Sequence, residues 1–373
     1  MALKKYKLGE LIELVTAVNS ENIYGKNDVK GMTISKEIIE TKANVNDSDL
    51  RDYLVVKPNE FVYNPRTHGK KIGLGFNNTK KTFIISWNNI AFRVSKCKEN
   101  LILPTYLFIH FNRSEWDREA CINSWGSSTE VFSWETLCSM TIDLPDLNTQ
   151  KKYVNIYLAM IENQKMYERG LEDLKLVCDG YIEDLRKKYK IEKIKPYIRK
   201  CNDKNENNAI TLFQGVNVDH VFIEPKRIAE DSENGSVVRT GQFVFNKVMK
   251  SHNTKLPFAL REGPDCVVSN SYTVFEIINK TKILPKYLLL WMNRSETQRY
   301  AGFISFGTTR DIFTFDDMGE IAIPLPNINI QEAIVDIFNT YQKRNEINEK
   351  LKNQIKNICP ILIKGAIEEA KEV

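Results

Sequence analysis

Between Phe61 and Lys98 the chain sets out Arg66, Lys70, Lys71, Lys80, Lys81, Arg93, Lys96 and Lys98 without one Asp or Glu. A second stretch, Arg239 to Arg261, holds Arg239, Lys247, Lys250, Lys255 and Arg261, again with no acid. The two occupy equivalent places, because Phe61-Val-Tyr-Asn64 matches Phe243-Val-Phe-Asn246. Their chemistry is electrostatic. Matched cationic stretches suit a polyanion such as nucleic acid, more than the modest net charge of +5 suggests.

Covalent chemistry finds no such footing. His68, His110, His220 and His252 are scattered, and none stands in an H-E-x-x-H pattern or beside a cysteine ligand. The chain has neither a G-x-x-x-x-G-K-[ST] phosphate loop nor a G-x-S-x-G nucleophile turn. Gly73-Leu-Gly75 lacks the third glycine and following helix of a dinucleotide site. Asn64-Pro65-Arg66-Thr67 lacks the second proline and the aromatic of the Asn-Pro-Pro-Tyr in amino-methyltransferases. Neither Pro145-Asp146 nor Pro264-Asp265 is followed by a Glu-x-Lys placed for a nuclease. These absences point to a binding protein rather than an enzyme, with no metal site.

The elements that must position the basic stretches are themselves duplicated. Residues 103–150 align without a gap to residues 284–331, with 18 of 48 positions identical, where unrelated segments share roughly three. One register joins Leu103-Pro104 to Leu284-Pro285, Asn112-Arg-Ser-Glu115 to Asn293-Arg-Ser-Glu296, and Gln150 to Gln331. A period of 181 residues is too long for a solenoid or propeller and marks a duplicated domain. Within the first copy, β-rich runs fall at Tyr53–Val56, Glu60–Tyr63, Thr82–Ser86 and Ile90–Val94. Clusters such as Asn64-Pro65-Arg66 and Gly73-Leu74-Gly75 read as turns between them. A helix follows Pro104, then a Gly/Ser/Thr loop, then a strand ended by Pro145; the second copy repeats this order.

Beyond each Leu-Pro the periodicity becomes helical. Tyr167, Leu171, Leu174, Cys178, Tyr181 and Leu185 alternate spacings of four and three, as a heptad seam does. Tyr341, Leu351, Ile355, Ile358 and Leu362 form the second such seam, with Pro360 expected to kink or break its helix. Two rods that cannot bury their stripes alone are expected to pack on each other, antiparallel, relating the copies by a pseudo-two-fold axis. The alternative is that each rod folds back on its own domain. The predicted class is α+β: two similar mixed α/β domains, residues 1–148 and 191–329, with a central helix at 149–190 and a C-terminal helix at 330–373. No run approaches the ~20 apolar residues of a membrane span. The seven widely spaced cysteines suit reduced thiols, so a cytoplasmic location is expected.

This order resembles the specificity subunit of Type I restriction–modification enzymes. The residues that carry the resemblance are Ile142-Asp-Leu-Pro145 with Gln150, and Ile323-Pro-Leu-Pro326 with Gln331, each followed by a long helix. The resemblance implies two target-recognition domains, each reading half of a split, asymmetric double-stranded DNA sequence. It also implies a coiled coil that spaces them and docks two methyltransferase subunits, with restriction subunits able to join. S-adenosylmethionine, ATP and magnesium belong to those partners, and the specificity subunit itself carries no cofactor and catalyses nothing.

Recognition domains of this family diverge, so the DNA-contact candidates rest on local chemistry. In the first copy they are Asn64, Arg66, His68, Lys70 and Lys71; in the second, Asn246, Lys247, Lys250, Ser251, His252 and Lys255. Arg or Lys suits guanine and Asn suits adenine in the major groove, while other cations hold phosphates. Ser127, Ser128 and Thr129, with Thr308, Thr309 and Arg310, form a second rank. Trp125 and its counterpart Phe306 are expected in the core. The competing expectation is a non-catalytic scaffold whose basic loops bind acidic protein partners.

Overall fold

The computed structural model describes residues 3–46, 48–67, 71–126, 130–225, 235–249, 255–306 and 311–372. It comprises two compact units, Met1–Glu168 with Ile347–Val373, and Arg169–Glu346.

In the first unit, β1 (Lys4–Lys7), β2 (Ile12–Val15), β3 (Lys30–Met32), β4 (Ile38–Glu40) and β5 (Leu54–Val56) come first. They are followed by β6 (Glu60–Tyr63), β7 (Leu74–Phe76), β8 (Phe83–Ile85) and β9 (Ile90–Val94). Three helices, α1 (Pro104–Phe111), α2 (Ser114–Ile122) and α3 (Trp134–Ser139), precede β10 (Thr141–Leu144). The main sheet is antiparallel in the order β2-β9-β6-β7, with the pairs β3-β4, β5-β8 and β1-β10 beside it. The long α4 (Leu147–Lys188) follows.

The second unit repeats every part. Its strands are β11 (Ile191–Lys193), β12 (Ile198–Cys201), β13 (Gly215–Val216), β14 (Phe222–Ile223), β15 (Ser236–Val238) and β16 (Phe243–Asn246). Then come β17 (Phe258–Leu260), β18 (Cys266–Val268) and β19 (Tyr272–Ile277). Helices α5 (Pro285–Met292), α6 (Ser295–Ile304) and α7 (Phe315–Glu320) lead to β20 (Ala322–Pro324) and the long α8 (Ile328–Glu372). The sheet order β12-β19-β16-β17 is that of the first unit, and the smaller pairs β13-β14, β15-β18 and β11-β20 also correspond.

The reason both copies fold alike is visible in their cores. Phe61 stacks on Phe76 and Phe92 at 4.6 and 5.0 Å, and Phe243 stacks on Phe258 and Phe275 at 5.2 and 5.1 Å. These offset aromatic pairs cross-link three of the four strands of each sheet and bury large apolar areas. The Gly73-Leu74-Gly75 run is not a turn, as its glycines suggest, but opens β7, paired with β6 through Tyr63↔Leu74 and Val62↔Gly75. A Cβ at Gly75 would lie 2.0 Å from Cδ1 of Ile38, so glycine there lets the β3-β4 hairpin lie directly on the strand.

In the first unit, residues 147–168 of α4 and 347–372 of α8 run antiparallel. Lys152 meets Glu369 at 2.6 Å, and toward the other end Lys352 meets Glu168 at 2.7 Å. Between them the Gln164 amide donates to Asn348 at 3.0 Å, a buried polar layer in an otherwise apolar seam. Val154, Tyr157, Cys359, Leu362, Ile363 and Ala366 join the domain's own core, so the rods bury their stripes on each other and on the sheet-bearing domain together. In the second unit, Ile182 and Leu185 share a core with Ile334, Val335 and the half-buried Phe338, again antiparallel.

Leu171 is buried, and Tyr167, Leu174, Tyr341, Leu351, Ile355 and Ile358 are half-buried. Tyr181 is a correction: it is 36% exposed, and its neighbour Ile182, 4% exposed, takes the packed position. An α-helix of 3.6 residues per turn drifts by about 20° per heptad, which rotates the later residue inward. Pro360 does not break its helix, since α8 continues through it to Glu372. Its neighbours Cys359, Leu362 and Ile363 are buried in the first unit's core, and that packing outweighs the lost backbone hydrogen bond.

Each long helix is tied to its domain by one glutamine. Gln150 is fully buried; its oxygen accepts from Leu103 N–H at 3.0 Å, and its amide donates to the carbonyls of Leu101 and Pro145 at 2.8 and 2.9 Å. Gln331 does the same with Leu284 N–H at 2.9 Å and the carbonyls of Lys282 and Pro326 at 2.7 and 2.9 Å. The Gln of the sequence signature therefore clamps three chain segments together.

Candidate nucleic-acid interface

Beyond β6 the chain folds into a small three-stranded ribbon. Asn64 takes Arg66 N–H on its side-chain oxygen at 2.9 Å and donates its own N–H to Gly73 at 2.9 Å, turning the strand without losing it. Phe132 N–H then donates to Pro65 at 2.7 Å and Thr67 N–H to Glu130 at 3.1 Å, which sets Arg66 opposite Val131. On the other side of Val131 lies Trp125, and the two exchange both backbone hydrogen bonds at 3.0 and 3.1 Å.

The second unit builds the same ribbon bond for bond. Asn246 accepts from Val248 N–H at 3.0 Å and donates to Pro257 at 3.0 Å. Phe313 N–H donates to Lys247 at 2.8 Å and Met249 N–H to Asp311 at 2.9 Å, placing Val248 opposite Ile312. Phe306 and Ile312 exchange both bonds at 3.3 Å.

Strand alternation decides which side chains face out. Phe132 and Phe313 are fully buried and anchor the ribbons, so Val131 and Ile312 beside them turn outward at 41% and 43% exposure. Side chains of directly opposed residues share a face, so Trp125 and Phe306 are carried to the outside with them. They are 76% and 84% exposed, which corrects the expectation that these aromatics lie in the core. The preceding Ser124 and Ser305 fix this: their hydroxyls donate to the carbonyls of Ala120 and Ala301 at 2.8 and 2.6 Å, tying the chain to the helix end with the next residue out.

Of the candidate residues, Asn64, Arg66, Asn246 and Lys247 come together at the ribbons, Arg66 exposed and Lys247 half-buried. Lys71 and Lys255 are exposed next to β7 and β17. His68, Lys70, Ser127, Ser128, Thr129, Lys250, Ser251, His252, Thr308, Thr309 and Arg310 lie outside the described residues. Other cations of the acid-free stretches are held structurally. Arg93 pairs with Glu13 at 2.7 Å and with Glu60. Arg239 reaches Asp203 and Asp265 at 3.2 and 3.5 Å. Arg261 is buried over the ring of Phe222 at 4.8 Å. Among the described residues no cluster of His, Cys, Asp or Glu could hold a metal ion, and no helix is long and apolar enough to cross a membrane.

A further feature escaped the reading of the sequence. Arg118, Ile122 and Trp125 form an exposed stripe at spacings of four and three on α2 and beyond it, and Arg299, Phe303 and Phe306 form its counterpart at α6. Ile122 is 68% exposed and Phe303 85%. The 181-residue register pairs Arg118 with Arg299, apolar with apolar and aromatic with aromatic. That pairing, on helix faces otherwise polar, was the available signal.

A family model described as the Type I restriction modification DNA specificity domain matches residues 183–357. A curated relative, the Type I restriction enzyme HindI specificity subunit of Haemophilus influenzae, is 25% identical over 131 residues; the match covers 34% of this chain and 28% of that relative's length. The Type-I restriction-modification S subunit from M. genitalium shares the fold, with a TM-score of 0.58 over 98% of this chain and 96% of its own at 11% identity. The HsdS subunit from Thermoanaerobacter tengcongensis aligns over 98% of this chain and 96% of its own, with a TM-score of 0.43 and 13% identity. Residues 183–357 thus match the Type I restriction modification DNA specificity domain, and the chain as a whole is similar in fold to a solved Type-I restriction-modification S subunit.

Proposed function

We propose that the chain is the DNA-reading subunit of its system, each unit reading one half of a split, asymmetric duplex sequence. One observation carries this reading. The two ribbons repeat hydrogen bond for hydrogen bond, while the side chains on their outer faces differ: Arg66, Val131 and Trp125 in one, Val248, Ile312 and Phe306 in the other. A shared scaffold with exchanged surface residues is what two different half-sites require. Lys71 and Lys255 lie nearby as phosphate contacts. The antiparallel rods space the readers and dock two methyltransferase subunits, with restriction subunits able to join. S-adenosylmethionine, ATP and magnesium are carried by those partners, and this chain contributes recognition alone.

The test is a titration of the chain, free and assembled with its methyltransferase subunits, against duplex DNA at rising salt. Specific binding should weaken steeply, each phosphate contact adding about 0.9 to the slope of log affinity against log salt. Salt-insensitive behaviour, with no DNA binding in either form, would leave the scaffold for acidic proteins as the better reading.

A further inference from the structure

The outer faces of the two ribbons differ in chemistry as well as in residue names. In the first unit an exposed guanidinium, Arg66, stands two strands from the Trp125 ring with Val131 between them. In the second, the same three places hold Val248, Ile312 and Phe306, and the exposed Phe303 stands three residues before Phe306, in the last turn of α6. Among the described residues that face is apolar, with Ile312 and Phe306 exposed and Val248 half-buried. Arg118 and Arg299, by contrast, are the same residue at the same place in both units.

A partner that is identical in both places would select the same face twice. Constant arginines beside variable faces fit an object with a constant backbone and variable contents. Resting on the reading proposed above, we infer that the outer ribbon faces are the specificity-determining surfaces and that Arg118 and Arg299 hold phosphates. The second unit's face reads the C5-methyl groups of thymine through Val248, Ile312 and Phe306. The first unit's face reads guanine through Arg66, with Trp125 packed against the neighbouring base edge. Arginine donates two hydrogen bonds to O6 and N7 of guanine, whereas an apolar face has only the thymine methyl to grip in the major groove.

The probe is a duplex carrying the split sequence that the assembled chain and methyltransferase subunits methylate in cells. Each thymine in turn is replaced by uracil, which removes only the methyl group, and each guanine by 7-deazaguanine, which removes only N7. Exchange of residues 1–148 with those of a Type I specificity subunit assigns the half-sites. At least one uracil in the second unit's half-site should weaken binding about four-fold, the factor one buried methyl-sized group contributes. That sensitivity should vanish in Phe306→Ala and in Ile312→Ser. One 7-deazaguanine in the other half-site should weaken binding about ten-fold, an effect absent in Arg66→Ala.

Sequence-specific binding that ignores every uracil in that half-site, or unchanged sensitivity in the variants, overturns the inference and leaves the DNA-reading function standing. If Phe306→Ala and Trp125→Ala instead weaken assembly with the methyltransferase subunits in the absence of DNA, the faces are protein contacts and the inference fails. A wild-type complex that binds no duplex removes the proposed function itself.

Discussion

Gln150 and Gln331 show how a single buried polar residue can hold the start of a long helix to its domain. Each satisfies one N–H and two carbonyls that would otherwise be buried and unpaired. Gln331→Met keeps the length and removes the hydrogen bonds, so it should cost about 3 kcal/mol, at the upper end for unsatisfied buried groups. A urea midpoint equal to that of wild type would show that volume, not hydrogen bonding, matters there. At the neighbouring helix, burial drives the His110 imidazole well below its ordinary pKa of 6.5, and the Arg113 guanidinium beside it acts in the same direction. Arg113 approaches Nε2 at 3.1 Å and has only donors, so Nε2 is the accepting nitrogen. The unfolded chain therefore takes up a proton before the folded one, and stability is lost as pH falls below about 6.5. The wild-type urea midpoint should drop more between pH 7.5 and 5.5 than that of His110→Gln; equal drops would refute the assignment. In the second unit the same place holds Trp291, which does not titrate, with Arg294 over its ring at 5.3 Å.

Helices α4 and α8 are each longer than a domain needs, and their packing explains why they persist. The Gln164–Asn348 layer is polar in an apolar seam, a device that discriminates against shifted registers because any slip leaves a buried amide unpaired. Pro360 withholds an N–H from the Lys356 carbonyl within this same helix. Pro360→Ala should restore that bond and raise stability by about 2 kcal/mol, the helix-interior penalty less the entropy that proline removes from the unfolded chain. Thermal unfolding reads the gain; a lower midpoint would mean that the ring itself is needed for packing against the first unit's core. At the ribbons the same logic runs through strand alternation, where a buried Phe132 or Phe313 obliges its neighbour to face out.

For the molecule as a whole, a duplicated unit predicts modular behaviour. If the proposed function holds, replacing residues 1–148 by those of a Type I specificity subunit should alter one half of the methylated sequence and leave the other intact, as methylation mapping would read. A change in both halves, or in neither, would sink the modular reading. The sequence alone determined the duplication, its 181-residue register and the two long helices, because identity between copies and heptad spacing are local properties of the chain. Gly75 already shows the limit of such locality: its strand exists because β6 and the β3-β4 hairpin surround it. The cationic stretches were legible too, but only the tertiary structure separated Arg93, Arg239 and Arg261, engaged in ion pairs or buried, from the exposed Arg66, Lys71 and Lys255. It alone turned Trp125 and Phe306 from expected core residues into exposed ones. Whether an aromatic side chain faces in or out depends on which strand lies opposite it, and Val131 and Ile312 become opposite only once the chain has folded.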